Sequence, residues 1–504
     1  MSNYLYEFLL GPHLKESRLF LKGPDGRCIN YRDFLELASS QAHALTQNGL
    51  RPGDRLIMQV DKSFEALGLY AACIMTGIVL IPLNTAYTLT ELDYYIDDGD
   101  VSAIVCSSTT ASALKDAIRK PNRVIFTLNA DGSGSLTDQA REQPHQFTVA
   151  DRMPDDLAAI LYTSGTTGRS KGAMLTHANL LSNAQALKQL WQFTSDDVLL
   201  HALPLSHIHG LFIACNVMML AGGRMLFLPK FDLDQVFEML PEATSMMGVP
   251  TFYDRLLNDA RLSRDAAAHI RVFISGSAPL RSETFDAFEK RTGHRILERY
   301  GMTETNITAS NPYNGERRAG TVGLPVPGVE LIITDPETGE PLSQGETGMV
   351  EVRGPGVFAG YWRMPEKTDA ELRQNGFFIT GDIGKLDANG YVHIVGRAKD
   401  LIISGGLNVY PKEIELLLDT QPGILESAVV GVPHSDFGES VLGIVVPMPG
   451  VSPDLELISK TIAASLANFK RPKKLVLMDE LPRNAMGKVQ KALLREKFKS
   501  VFSE

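Results

Sequence analysis

DRLIMQVDKSFEALGLYAACIMTGIVLIPL, residues 54–83, holds three segments of different period. DRLIMQV is a short apolar run of strand length, SFEALGLYAACIMTG repeats with helical spacing and closes on Gly77, and IVLIPL is strand-like again. Downstream, TLTELDYYIDD (88–98) offers Thr88 or Thr90 as an N-cap ahead of acidic first-turn residues, and SAIVCSS (102–108) is a further apolar run. Strand and helix alternating at this pitch imply a parallel sheet covered by helices. The pattern resumes in RMLFLP, FDLDQVFEML, TSMMGVP, TFYDRLLND and RVFISGS between residues 224 and 277.

From about residue 320 the texture turns to glycine, proline and short β-like runs, as in TVGLPVPGVELIITD, GMVEVRGPGVFAGYW and GYVHIVGR. After Gly396-Arg397 comes a short mixed module that ends in NFKRPKK and KALLREKFKS. The expected architecture is α/β: a large N-terminal domain, 1–396, of βαβ-built sheets plus a β-rich subdomain, and a small mobile α+β domain, 397–504. The small module is nearly charge-neutral and the rest of the chain carries the acidic excess, which fits two domains facing an anionic ligand across a cleft.

Over 504 residues, 44% are hydrophobic and 21% charged, which excludes a disordered or rod-like chain. A formal net charge of −10 makes nucleic acid a poor partner. Cys28, Cys73, Cys106 and Cys215 lie far apart without CxxC spacing and read as buried thiols in a reducing compartment. The N-terminus lacks a secretory pattern and VFSE is no retention address, so the expected location is cytoplasmic. Two uncharged stretches, 66–90 and 199–223, are long enough to span a bilayer. The first is broken by Gly77 and Pro82 and the second by His201, Pro204, His207 and His209, so no span is expected.

The strongest local signal is LYTSGTTGRSKGAML, residues 161–175. Thr163, Ser164, Gly165, Thr166, Thr167 and Gly168 supply N–H and O–H donors that wrap phosphate oxygens, and Lys171 adds a point charge. Ser170 rather than glycine precedes the lysine, so this is not a Walker loop. In ERYGMTET (298–305) Tyr300 is placed to stack on a base and Glu304 to hold a divalent cation. Asp382 closes GFFITGD after an apolar strand, where a carboxylate can accept both ribose hydroxyls.

The string YTSGTTGRSKG resembles the phosphate-binding signature of the adenylate-forming family, which includes acyl-CoA synthetases, firefly-type luciferases and peptide-synthetase adenylation domains. LPLSHIHG (203–210), ISGSAPL (274–280), ERYGMTET, GFFITGD, GRAKDLIISGGLNVYPKEIE (396–415) and PRNAMGKVQK (482–491) follow in order, so the resemblance covers essentially the whole chain. It implies a magnesium-dependent reaction of a carboxylic acid with ATP and then CoA. The roles it implies are Ser277 and Thr303 at the nucleotide, Asp382 and Arg397 at the ribose, and Glu304 at the metal. Lys488 would lie between the reacting carboxylate and the α-phosphate. Lys399, Gly405 and Gly406 would belong to the hinge and CoA loop, about which the small domain turns between the two half-reactions. His207 would border the reacting carboxylate, although Ser206 replaces the aromatic residue common before it.

The acid pocket is expected around His209, Ser277, Met302 and the segment GVPTFYDRLL. Arg255 stands out there as a bidentate fork for a second carboxylate. These segments resemble malonyl-CoA synthetases, which points to malonate. Methylmalonate, another short or medium acid, and a free-standing enzyme that loads a carrier protein remain the alternatives. No obligate protein partner is evident.

Overall fold

The computed structural model describes residues 3–117, 123–163, 170–404, 407–434, 437–463, 465–483 and 488–502. Contacts divide the chain into two compact units, Met1–Leu331 with Val352–Phe378, and Ile332–Glu351 with Ile379–Glu504.

The first unit is built on two large sheets. Arg55–Gln59, Val79–Pro82 and Ala103–Cys106 pair in parallel, as the apolar runs predict. The helix Phe64–Thr76 between the first two is capped by the Ser63 side chain and ends at Gly77. Every residue of that helix is buried, which explains its transmembrane-like composition. The following helix, Leu89–Asp98, starts from a Thr88–Glu91 capping box, so Thr88 rather than Thr90 is the cap. Val124–Thr127, Leu157–Thr163 and Lys171–Thr176 complete this six-stranded sheet, the last strand antiparallel.

The second sheet has nine strands. Its centre runs Leu297–Met302, Val272–Ser275, Ser245–Gly248, Val198–His201, Arg224–Phe227 and Leu19–Lys22 in parallel. Phe273, Phe288, Tyr253, Leu256 and Met246 pack one face of it. Among the described residues no helix is long and apolar enough to cross a membrane. Cys73, Cys106 and Cys215 are buried as expected, but Cys28 is exposed, because it lies on the short edge strand Cys28–Asn30.

The second unit holds most of a four-stranded sheet, Glu330–Thr334, Gly348–Arg353, Phe378–Leu386 and Val392–Arg397. It also holds a five-stranded sheet centred on the long antiparallel pair Ile424–His434 and Gly438–Pro447. Helices Pro411–Asp419 and Leu455–Ala463 cover that pair through Ile414, Leu418, Ile458 and Ile462.

His177 opens the helix His177–Leu190 and is buried, with the Leu5 N–H donating to its Nδ1 at 3.3 Å. Burial pushes this imidazole down to about 4. Its folded value is depressed, so its contribution to stability is complete above the unfolded value near 6.5 and is lost as the pH falls toward 4. That contribution is on the order of 3 kcal/mol. His177→Gln is expected to flatten the fall in unfolding free energy between pH 7 and 4 relative to the parent, measured by urea titration. An unchanged slope contradicts this.

Candidate active site

Thr163 and Lys171 face each other across the antiparallel strands Leu157–Thr163 and Lys171–Thr176. Ser164, Gly165, Thr166, Thr167 and Gly168 lie outside the described residues. The Thr163 hydroxyl donates to Glu304 Oε1 at 3.4 Å. Lys171 Nζ donates to the Tyr361 phenol oxygen at 3.0 Å and to Glu371 Oε2 at 3.4 Å, and lies 4.1 Å from the Tyr361 ring centroid. The Tyr361 hydroxyl in turn stands 2.7 Å from Glu371 Oε2 and 3.1 Å from Glu304 Oε1. One phenol proton thus serves two carboxylates, and burial with both neighbouring charges holds the phenol far above its usual range. Burial raises Glu371, but Lys367, Tyr361 and Lys171 outweigh it and leave this carboxyl below its ordinary value. Glu304 and Thr163 offer hard oxygen donors. They suit a magnesium ion arriving on phosphates, which asks for one or two protein carboxylates.

The strand Leu297–Met302 carries Arg299, Tyr300 and Met302 toward the turn at Thr303. Tyr300, Met302 and Thr303 are half-buried, whereas Arg299 is only 4% exposed. Its guanidinium lies against Gly276, where an added β-carbon would stand 2.4 Å from Cζ. Neither Nε nor Nη2 has a hydrogen-bond partner among the described residues. Burial pushes the guanidinium down to about 9, so it remains a cation at neutral pH. Ser277 follows in the left-handed conformation, φ +71°, which is strained for a residue with a β-carbon.

Ser277 Oγ lies 3.2 Å from His209 Nδ1. His209 is 1% exposed and opens a π-helical turn, His209–Cys215, a rare form that is frequent at functional sites. Burial, reinforced by Arg299, His201 and His207, holds this imidazole well below its usual value, so it is neutral. Its Nε2 also has no partner among the described residues. His207, two residues earlier, is half-buried.

The helix Pro250–Leu257 buries Pro250, Tyr253 and Leu256, and this phase turns Arg255 outward, where it is exposed and 5.9 Å from the Phe231 ring centroid. Arg255 is thus the exposed cation of this region and Arg299 the buried one. Gly276→Ala is expected to displace the Arg299 guanidinium, leave the fold intact, and raise KM for a diacid about tenfold with KM for ATP unchanged. Steady-state kinetics check this, and equal shifts in both constants contradict it.

In the second unit Asp382 and Arg397 are cross-strand neighbours, and Arg397 Nε donates to Asp382 Oδ1 at 2.7 Å. The Thr380 hydroxyl accepts from the Asp382 N–H at 3.0 Å and fixes the backbone there. Asp382 is 3% exposed, and the ion pair orients its carboxylate. Lys399 lies in the short turn Ala398–Asp400 and is exposed, as is Lys488. Gly405 and Gly406 lie outside the described residues.

The AMP-binding enzyme family model matches residues 14–362, and the AMP-binding enzyme C-terminal domain matches residues 413–488. The chain belongs to the AMP-binding enzyme family. It is 52% identical to MatB from Rhodopseudomonas palustris in its ATP-bound crystal structure, with a TM-score of 0.97 and 99% of each chain covered. It is 33% identical to the malonate–CoA ligase of Arabidopsis thaliana over 98% of this chain and 84% of that protein. It is 32% identical to a long-chain-fatty-acid–CoA ligase of Bacillus subtilis over 94% of this chain and 90% of that protein. The family signatures quoted from the sequence include Arg299, yet sequence reading passes over it, as it does Tyr361 and Glu371. The adjacent charges Glu298 and Arg299 after Ile296 and Leu297 were the available signal, since a buried strand seldom carries two. Glu371 lies in the polar helix PEKTDAE and carries no such mark.

Proposed function

We propose that this AMP-binding enzyme is an AMP-forming acid–CoA ligase whose acid is malonate. A relative named for malonate and one named for long-chain fatty acids stand at 33% and 32% identity to it, whereas MatB stands at 52%. The observation that carries the reading is the buried Arg299, with Nε and Nη2 unpartnered among the described residues, beside His209 with its Nε2 likewise. A fatty acyl chain gives such a cation nothing. A second carboxylate gives it a bidentate partner and removes the cost of its burial. A Ser277 hydroxyl that donates to Nδ1 keeps the His209 proton on Nε2, which then adds a third donor to that carboxylate.

The other carboxylate, bordered by His207, attacks the α-phosphorus of ATP. The bond to pyrophosphate breaks and malonyl-adenylate forms. The CoA thiolate then attacks the acyl carbon, and AMP leaves with the bridging oxygen. Thr163, residues 164–168 and Lys171 bind the phosphates. Tyr300, Ser277 and Thr303 hold the adenosine moiety, and Asp382 with Arg397 holds the ribose. Glu304 and Thr163 hold magnesium, which when bound neutralises charge on the phosphates. Lys488 offsets the repulsion between carboxylate and α-phosphate during the first step. Met302 lines the acid pocket, and Lys399, Gly405 and Gly406 belong to the hinge and CoA segment.

The test is a panel of acids (malonate, methylmalonate, butyrate, octanoate) incubated with ATP, magnesium and CoA. The expected result is malonyl-CoA with one AMP and one pyrophosphate per thioester. Faster turnover of octanoate or butyrate than of malonate overturns the acid assignment.

A further inference from the structure

Lys62 lies at 8% exposure just before the N-cap of the helix Phe64–Thr76. Among the described residues it forms no ion pair with a carboxylate. Its Nζ donates to His201 O at 2.7 Å, lies 2.6 Å from His201 Nδ1, and stands 4.2 Å from the Phe227 ring centroid. Taking a lysine out of water without a counter-charge is costly, and an apolar side chain of similar length would fill the space without that cost.

What an apolar side chain cannot do is choose a tautomer. A Lys62 amine that donates to Nδ1 leaves that nitrogen bare and places the imidazole proton on Nε2. His201 Nε2 lies 2.9 Å from the carbonyl oxygen of Gly210, which can only accept. Cys215 Sγ reaches the same oxygen at 3.2 Å. Gly210 follows His209 in the π-helical turn, and the chain folds back so tightly there that a β-carbon at 210 would stand 2.0 Å from Pro204 O.

We propose that Lys62 and His201 are positioning residues for the acid. The lysine fixes the His201 tautomer, His201 pins the Gly210 carbonyl, and the pinned π-turn presents His209 to the carboxylate that Arg299 binds. The inference rests on the reading that the acid lies beside His209 and Arg299. Neither Lys62 nor His201 touches substrate in this account.

The experiment compares Lys62→Met, His201→Leu and His201→Gln with the parent, measuring KM for malonate and for ATP separately. Glutamine keeps a donor at the place of Nε2 and leucine does not. Lys62→Met and His201→Leu are expected to raise KM for malonate about tenfold or more with KM for ATP within about twofold, and His201→Gln to recover most of the loss. A parent-like KM for malonate in Lys62→Met or in His201→Leu overturns the proposal, as do equal rises for malonate and ATP. Should Lys62→Met fail to fold, the His201 pair decides alone, and equal behaviour of glutamine and leucine is the negative result. A parent enzyme inert toward malonate overturns the acid assignment instead, and the same split is then read with the acid it does activate.

Discussion

Lys488→Ala is expected to abolish formation of malonyl-adenylate while largely sparing transfer to CoA from malonyl-adenylate supplied ready-made. The chemistry sets the asymmetry. In the first half-reaction a carboxylate approaches a phosphate that is already anionic, and negative charge builds on the phosphoryl oxygens as pyrophosphate leaves. A lysine ammonium at that point acts on the transition state more than on either reactant. Loss of one such electrostatic group typically costs about 10²–10³ in rate. In the second half-reaction the thiolate attacks a neutral acyl carbon and the α-phosphate keeps its charge, so the same cation has little to do. Lys488 is exposed in the second unit, in the segment that resembles the family's catalytic-lysine motif. Pyrophosphate exchange reads the first step and CoA-dependent thioester formation reads the second. Adenylation within about tenfold of the parent, a barrier change of about 1.4 kcal/mol, contradicts the assignment.

Arg299→Leu carries the second large effect. If the guanidinium binds the distal carboxylate, its removal leaves that charge to be desolvated without a partner, and breaking a buried pair in this way costs about 3–5 kcal/mol. Malonate kcat/KM should then fall by about 10²-fold or more. Butyrate, which has no second charge, should hold steady or improve. The folded protein should be no less stable, because among the described residues the buried cation has no carboxylate to lose. Arg255→Leu is the control, since an exposed arginine stacked near Phe231 should leave both acids untouched. Equal loss for malonate and butyrate in Arg299→Leu makes that residue structural and removes the argument for a diacid.

The βαβ core was legible because its strands are continuous apolar runs separated by helices with clear caps, Ser63 and Thr88 among them. The family was legible because its phosphate-binding signature concentrates glycine, serine and threonine in one continuous string. Asp382 and Arg397 are fifteen positions apart in sequence, and only the antiparallel register of their strands makes them an ion pair. The acid side is harder to read from sequence for a physical reason. A receptor for a second carboxylate needs one buried cation, and a single arginine in a sequence looks the same on either face of an element. Arg255 follows a strand and lies in a helix, but the helical phase turns it to solvent. Arg299 lies in a strand between Glu298 and Tyr300, in a run of three consecutive buried residues, 297–299, and its guanidinium fills the space left by the bare α-carbon of Gly276. The Lys62–His201 contact joins residues 139 positions apart, a distance over which no local pattern speaks.

The most direct measurement uses malonate labelled with ¹⁸O in its carboxylates, incubated with ATP, magnesium and CoA, with the nucleotide product read by mass spectrometry. Attack of a carboxylate oxygen on the α-phosphorus, followed by thiolate attack on the acyl carbon, leaves one labelled oxygen in AMP for each malonyl-CoA formed. Label found in inorganic phosphate with ADP as the nucleotide, or malonyl-CoA formed with unlabelled AMP, contradicts the adenylate route.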